Sequence, residues 1–120
     1  MFLGLRTVIY HVADIEAAKS WYSAILGFGP YFDEPFYVGF NVGGYELGLH
    51  PTETASTERA EGVVAYWGVA DAEGTLKHLL ERGATLHEGV QDVGESIKVA
   101  TVKDPFGNLF GIIENPNFKL

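Results

Sequence analysis

The 120-residue sequence contains no cysteine, and this absence limits its chemistry. Without cysteine, neither a disulfide framework nor thiolate ligation of a metal is possible. Histidine and carboxylate side chains are the strong metal ligands that remain. The absence also fits a reducing compartment, so we expect a cytoplasmic protein.

Long apolar runs and clustered positive charges are scarce as well. No stretch approaches the roughly 18 apolar residues of a membrane span, and the N-terminus lacks a basic region followed by an apolar run. Eight Lys and Arg residues stand against sixteen Asp and Glu residues, which gives a net charge of −8. Such a chain repels anionic phosphates, so neither nucleic acid nor a membrane is an expected partner. The acidic surface favours cationic ligands, but a charge balance of this kind more commonly serves solubility.

What is present is the composition of a globular protein, with 47% hydrophobic residues, 20% charged residues and no low-complexity tract. A chain of this length falls in the single-domain range. We therefore expect one domain over residues 1–120, built from a first module of about 1–51 and a second of about 62–120. A polar linker of about 52–61 would join them.

The two halves follow the same order of patterns. Residues 5–12 are rich in β-branched and aromatic types and lead into Asp14, which suits a helix N-cap. The pattern returns 57 positions later, where residues 63–69 lead into Asp71, and both segments end in Val-Ala-Asp. Gly27 and Gly83 suit the helix ends. The predicted apolar stripes are Ala18, Trp21, Tyr22 and Ile25 in the first helix, and Ala72, Leu76, Leu79 and Leu80 in the second.

A β-hairpin is predicted after each helix. Residues 36–42 and 45–50 flank Gly43-Gly44, which suits a two-residue turn with positive φ angles. Residues 96–103 and 108–114 flank Asp104-Pro105-Phe106-Gly107, which suits a longer loop built on a type I turn. With short strands near 29–32 and 85–88, the sequence predicts an α+β fold of two tandem β-α-β-β-β modules.

The first hairpin separates its side chains between two faces. The Gly43-Gly44 turn predicts the pairs Val42 with Tyr45, Asn41 with Glu46, Gly39 with Gly48, and Tyr37 with His50. One face is almost wholly apolar and must lie under the helix: Val38, Phe40, Val42, Tyr45, Leu47 and Leu49. The other carries Tyr37, Asn41, Glu46 and His50 around two glycines. It is either a cup for a ligand or the solvated side of an antiparallel sheet.

An aromatic group precedes this hairpin and extends into it. Tyr31, Phe32, Phe36 and Tyr37 either wall the mouth of a cup, where they would stack on a planar ligand, or belong to the core. The core is the favoured place for Phe32 and Phe36, and the cup is favoured for Tyr37.

These features resemble the vicinal oxygen chelate superfamily, which includes glyoxalase I, the fosfomycin resistance proteins, extradiol dioxygenases and bleomycin resistance proteins. The resemblance covers essentially the whole chain. It rests on the paired Val-Ala-Asp openings, Trp21-Tyr22, Leu26-Gly27-Phe28 and the Asp104-Pro105-Phe106-Gly107-Asn108 turn. It implies that the mixed sheets of both modules curve into a cup with the helices on its convex side, and that a homodimer commonly completes the site.

The resemblance also identifies where a metal would be held. The family typically places His or Glu on the first strand of each module and Glu on the fourth, and the matching positions are Thr7, Val64, Gly48 and Gly111. None of these supplies an imidazole or a carboxylate. The implied protein therefore lacks the usual metal site and needs no cofactor. A divalent metal relocated to Glu46, His50 and His11 is the alternative.

The resemblance and the hairpin together favour a binding protein, similar to the bleomycin resistance branch, over an enzyme. Its ligand would be a small planar or cationic molecule. The expected ligand-binding residues are Thr7, Tyr37, Asn41, Glu46, His50, Val64, Tyr66 and Gly111. Glu46 would offer charge, the tyrosines stacking surface, and Asn41 and His50 hydrogen bonds, while Thr7, Val64 and Gly111 would form the floor.

Two other functions stay open. A lyase, isomerase or dioxygenase of the glyoxalase-like type would use Glu46 and His50 as its acid-base pair, with a divalent metal. A structural or regulatory dimer module would have a filled cup.

Overall fold

The computed structural model describes residue 3, residues 5–52 and residues 64–117. The chain divides into two compact units, Met1–Ser56 and Thr57–Leu120. Within the described residues the elements are β1 (Thr7–Val12), α1 (Ile15–Leu26), β2 (Phe32–Glu34), β3 (Tyr37–Val42), β4 (Tyr45–Pro51), β5 (Tyr66–Gly68), α2 (Ala72–Glu81), β6 (Thr85–Asp92), β7 (Lys98–Lys103) and β8 (Leu109–Glu114). Each unit has the order β-α-β-β-β, so the predicted α+β fold of two repeated modules is confirmed. The predicted linker lies, apart from Thr52, outside the described residues.

The first unit contains a four-stranded mixed sheet in the order β1-β4-β3-β2, in which β1 runs parallel to β4. The predicted hairpin register is confirmed from Val42 with Tyr45 to Gly39 with Gly48. The β3–β4 ladder ends at Val38 with Leu49, one position before the expected pair of Tyr37 with His50. The core side chains of this unit are fully or almost fully buried: Val12, Ala18, Tyr22, Val38, Phe40, Leu47 and Leu49.

Helix α1 packs against β3 and β4, as its apolar stripe predicts. Asp14 caps its N-terminus, where Oδ1 accepts a hydrogen bond of 3.0 Å from the Ala17 amide. Gly27 ends it in the left-handed conformation with φ 85°. On the face of the sheet that points away from α1, strands β1, β3 and β4 present the side chains that are not in this core.

Three details of this first unit differ from the expectation. Phe32 and Phe36, which the sequence favours for the core, are 39% and 63% exposed. Strand β2 begins at Phe32 rather than near Gly29, because Pro30 has no N–H to donate to the ladder. Tyr45 was expected under the helix but is 50% exposed, since it lies beside the Gly43-Gly44 turn at the end of the sheet.

The second unit contains a four-stranded mixed sheet in the order β5-β8-β7-β6, with β5 parallel to β8. Its core contains Ala72 and Leu79 of α2, packed with Ala100, Val102 and Ile112 of the sheet. Asp71 caps α2 through a 3.1 Å bond from the Gly74 amide. Leu80, predicted in the apolar stripe, is 37% exposed, because successive helical residues point about 100° apart and Leu79 takes the core-facing position.

Strand bounds in the second unit also differ from the prediction. Strand β6 continues to Asp92 because its pairing with β7 passes through two irregularities, between Leu86 and Glu88 and between Glu88 and Gln91. Strand β7 begins at Lys98 rather than Ser96, because positive φ angles turn the chain just before it.

Helices α1 and α2 have 12 and 10 residues, and within the described ranges no helix is long and apolar enough to cross a membrane.

Candidate functional site

The side chain of Glu46 lies on the face of the first sheet that points away from α1. Strand alternation requires this, because the neighbouring Leu47 is fully buried in the core. Its register partners are Thr7 of β1 and Asn41 of β3. Three strands therefore position the surroundings of this carboxylate.

Three hydroxyl groups donate hydrogen bonds to Glu46. Thr7 Oγ1 donates to Oε1 over 2.8 Å, and Tyr37 Oη donates to the same oxygen over 2.5 Å. Tyr31 Oη donates to Oε2. We call these four residues the Glu46 cluster. Among the ion pairs of the described residues, none includes Glu46, so its side-chain hydrogen bonds in this part of the chain come from neutral donors.

These donors fix the charge state of the cluster. The hydrogen bond from Tyr31, followed by that from Tyr37, holds the pKa of Glu46 below its ordinary value of 4.5. The bond to Glu46 raises the pKa of Tyr31, and burial followed by the bond to Glu46 raises the pKa of Tyr37. At neutral pH the carboxylate is ionised, and both tyrosines keep the protons that they donate.

Two paired glycines make room for the tyrosine rings. A Cβ on Gly48 would overlap the Tyr37 hydroxyl and lie 2.6 Å from Tyr37 Cζ. A Cβ on Gly39 would lie 3.0 Å from Glu46 Oε2 and 3.2 Å from Tyr31 Cε1. The two rings therefore fold over the glycines and reach different oxygens of Glu46.

An open cavity of about 320 Å³ lies beside the carboxylate. Its lining residues are Arg6, Thr7, Tyr31, Asn41, Gly44, Tyr45 and Glu46. Tyr31 is 64% exposed, so most of its surface is available to a ligand. Asn41 Oδ1 accepts a 2.9 Å bond from the Gly44 amide, which ties that side chain to the hairpin turn. The cavity offers one carboxylate, one guanidinium, an amide and two aromatic side chains.

The ring contact of His50 is with His11, which lies outside the Glu46 cluster. The His50 ring lies edge-on to that of His11, with the ring centroids 5.3 Å apart, at the end of the β1–β4 pair. Glu46 and His50 are four residues apart along one strand, a separation of about 13 Å. The proposed acid-base pair thus has its two groups at separate places on the sheet.

The remaining predicted ligand-binding residues belong to the second unit. Tyr66 is the register partner of Gly111, and a Cβ on Gly111 would lie 2.7 Å from Tyr66 Cδ1 and 2.8 Å from Ala65 O. The Tyr66 ring therefore lies over Gly111 and is 48% exposed. Val64 is half-buried just before β5. That these residues share a cup with Glu46 stays a prediction.

The four positions that match the family's metal ligands do not fit a metal. Thr7 donates its hydroxyl to Glu46, Val64 has no side-chain donor atom, and rings of Tyr37 and Tyr66 cover the two glycines. Across residues 5–52 and 64–117, no group of three or more His, Asp and Glu side chains is arranged to hold a metal ion. The groups of the Glu46 cluster on the first sheet are hydroxyl, carboxylate and aromatic groups.

Sequence reasoning does not place Arg6 or Tyr45 in the site. It gives Tyr31 either as an aromatic wall at the mouth of a cup or as a core residue, and it does not predict the hydrogen bond from Tyr31 to Glu46. Gly39 is the sequence signal that could have indicated this position of Tyr31. Its carbonyl accepts a 3.0 Å hydrogen bond from the Tyr31 amide, and its missing side chain leaves room for the Tyr31 ring. For Arg6, which precedes β1, the sequence held no comparable signal.

Comparison with known proteins agrees with this architecture. Residues 4–112 match the sequence model of the Glyoxalase/Bleomycin resistance protein/Dioxygenase superfamily. A comparison with curated proteins finds no match.

Several solved structures share the fold at low sequence identity. A glyoxalase-related enzyme from Fulvimarina pelagi is 17% identical with a TM-score of 0.81, over 99% of this chain and 93% of that one. A glyoxalase/bleomycin resistance protein/dioxygenase family enzyme from Burkholderia phytofirmans is 20% identical with a TM-score of 0.76, over 90% and 95%. A glyoxalase/bleomycin resistance protein from Catenulispora acidiphila is 23% identical with a TM-score of 0.67, over 94% and 100%. These likenesses show the fold, and with the match over residues 4–112 they establish that the chain belongs to the glyoxalase/bleomycin resistance protein/dioxygenase superfamily.

Proposed function

We propose that this chain is a metal-independent binding protein that takes up a small planar cation beside the Glu46 cluster. The observation that carries the proposal is an ionised carboxylate at a cavity, held by three neutral hydroxyl donors and by no cation among the described residues. Such a carboxylate attracts a positive charge, and the rings of Tyr31 and Tyr45 supply surface for stacking and for cation-π contact.

The charge state of Glu46 favours binding over acid-base catalysis. A general base works best when its pKa lies near the operating pH, whereas the tyrosine bonds hold the pKa of Glu46 below 4.5. The carboxylate is therefore a weak base at neutral pH and a permanent negative charge. A permanent charge is what recognition of a cation requires.

Metal independence is supported by the side chains at the four matching positions. A hydroxyl that is already donated, a valine and two glycines cannot supply the N and O ligands of a divalent metal. We propose that aromatic rings take the room that ligand side chains would need, since Tyr37 covers Gly48 and Tyr66 covers Gly111.

The proposal is tested by calorimetric titration of 2-naphthylmethylammonium, a planar cation, at pH 7. Glu46→Gln keeps the shape and removes the charge, so the affinity should fall about tenfold or more, as for the loss of one hydrogen bond between charged groups. The matched control is Glu88→Gln, on an exposed position of β6, which should leave the affinity unchanged. The neutral 2-naphthylmethanol should bind more weakly than the cation. Equal affinity of wild type and Glu46→Gln would contradict the proposal.

We also propose that the protein works in the cytoplasm as a homodimer. The family resemblance supports the dimer, and the cysteine-free sequence supports the compartment. Sedimentation equilibrium would test the dimer, because a homodimer has twice the monomer mass at micromolar concentration. A monomer mass would contradict it.

A further inference from the structure

The Glu46 carboxylate has little acceptor capacity left for a ligand. A carboxylate has two oxygens and about four lone-pair positions. Oε1 already accepts hydrogen bonds from Thr7 and Tyr37, and Oε2 accepts one from Tyr31. Counting donors from the described residues, one acceptor position remains, and it is on Oε2.

The two donors to Oε1 occupy different places. Thr7 lines the cavity beside the carboxylate, whereas Tyr37 is not among the lining residues and folds over Gly48. The Thr7 hydroxyl thus takes the Oε1 position on the cavity side. With respect to donors from the described residues, Oε1 has no position left for a ligand in the cavity, whereas Oε2 accepts one bond, from the lining residue Tyr31, and has one position left.

Cationic groups differ in what they need from a carboxylate. Amidinium and guanidinium groups are planar forks that bind best when each oxygen accepts one of two parallel N–H bonds. An ammonium group is a compact charge that can bind through one N–H. A carboxylate with one open position suits the second group and not the first.

We infer that the Glu46 site selects protonated amines over amidinium and guanidinium groups, and that Thr7 is the specificity-determining residue. The inference rests on the proposed function, because it concerns the ligand of the same carboxylate. A protonated amine donates one N–H to Oε2, while its charge and apolar body lie against the exposed ring of Tyr31.

The test compares 2-naphthylmethylammonium with 2-naphthamidinium, which share the ring system and the charge. In wild type the ammonium probe should bind more tightly. Thr7→Ala removes the hydroxyl donor and the atom that fills its place, so Oε1 gains an open position on the cavity side. The affinity for the amidinium should then rise about tenfold relative to the ammonium, the ratio that one added charge-assisted hydrogen bond gives.

Matched variants separate this effect from structural damage. Thr7→Ser keeps the hydroxyl and should retain the wild-type ratio, and Thr85→Ala makes the same exchange at the start of β6 and should also retain it. If Thr7→Ala does not fold, as judged by its melting transition, the wild-type preference for the ammonium probe still tests the inference.

The outcomes distinguish the inference from the proposed function. If Glu46→Gln weakens both probes but removal of the Thr7 hydroxyl leaves their ratio unchanged, the specificity inference is overturned and the cation site stands. A wild-type preference for the amidinium overturns it as well. If Glu46→Gln changes neither affinity, the cation site itself fails, and the inference fails with it.

Discussion

Glu46 lies among hydroxyl groups rather than beside a cation, and this setting decides its chemistry. Hydrogen bonds from Tyr31 and Tyr37 stabilise the charged form without neutralising it. An ion pair would cancel the field that the carboxylate exerts on a ligand, whereas neutral donors leave the negative charge on Glu46. The proposed role of the residue, attraction of a cation rather than acceptance of a proton, follows from this setting.

The pH dependence of stability follows from these three groups. The pKa of Glu46 is lowered on folding, so its contribution is complete above its ordinary pKa of 4.5 and is lost as the pH falls through the folded value. The pKa values of Tyr31 and Tyr37 are raised, so their contributions are complete below 10.0 and are lost as the pH rises through the folded values. Urea unfolding from pH 3 to 11 should therefore show both losses.

Variants assign the two losses. In Glu46→Gln the acid-side decrease in the free energy of unfolding should be smaller than in wild type, and in Tyr31→Phe the alkaline-side decrease should be smaller. If the free energy of unfolding decreases at low pH by the same amount in wild type and in Glu46→Gln, other carboxylates cause that decrease.

At the scale of the elements, the β3–β4 hairpin brings the cluster together. Its register pairs Gly39 with Gly48 and leaves the space over which the tyrosine rings fold. Strand β1 runs parallel to β4 and brings Thr7 beside Glu46. The buried face of the same strands fixes this register, because a slip of one residue would expose Leu47 and bury Glu46.

Gly48→Ala tests the role of the hairpin glycines. The new Cβ would overlap the Tyr37 hydroxyl, so the ring must move away from Glu46. We expect a loss of about 1–3 kcal/mol in the free energy of unfolding and a rise in the pKa of Glu46, measured by carbon NMR of its carboxyl group. The control is Gly89→Ala in β6, where a Cβ meets nothing within 4 Å, and its effect should stay within about 0.5 kcal/mol. An unchanged Glu46 pKa in Gly48→Ala would contradict the role of Tyr37.

The sequence predicts more at the element scale than at the residue scale. Alternating side chains, the Gly43-Gly44 turn and the Asp14 cap predict the strands, the hairpin register and the helix start, because these signals are local. The bond from Tyr31 to Glu46 depends on how an irregular segment folds over Gly39, and no periodicity encodes it. The separation of Glu46 from His50 on their shared strand face, in contrast, follows from the regular rise of the strand.

At the scale of the whole chain, the superfamily takes its name from enzymes and from a resistance protein. The fold alone therefore does not decide the function. The proposed function rests on the site. The four positions that the family resemblance matches to metal ligands carry Thr7, Gly48, Val64 and Gly111 here, and a charged carboxylate stands beside the first of them. The net charge of −8 further favours the approach of cations at low ionic strength.

The most direct test of metal-independent cation binding is to measure the affinity for 2-naphthylmethylammonium before and after exhaustive chelation, with elemental analysis of both samples. We predict the same affinity in both, no stoichiometric metal in the purified protein, and no gain when Ni, Mn, Fe or Zn is returned. Affinity that disappears on chelation and returns with one of these metals would contradict the account, and would direct attention to a metal-dependent enzyme.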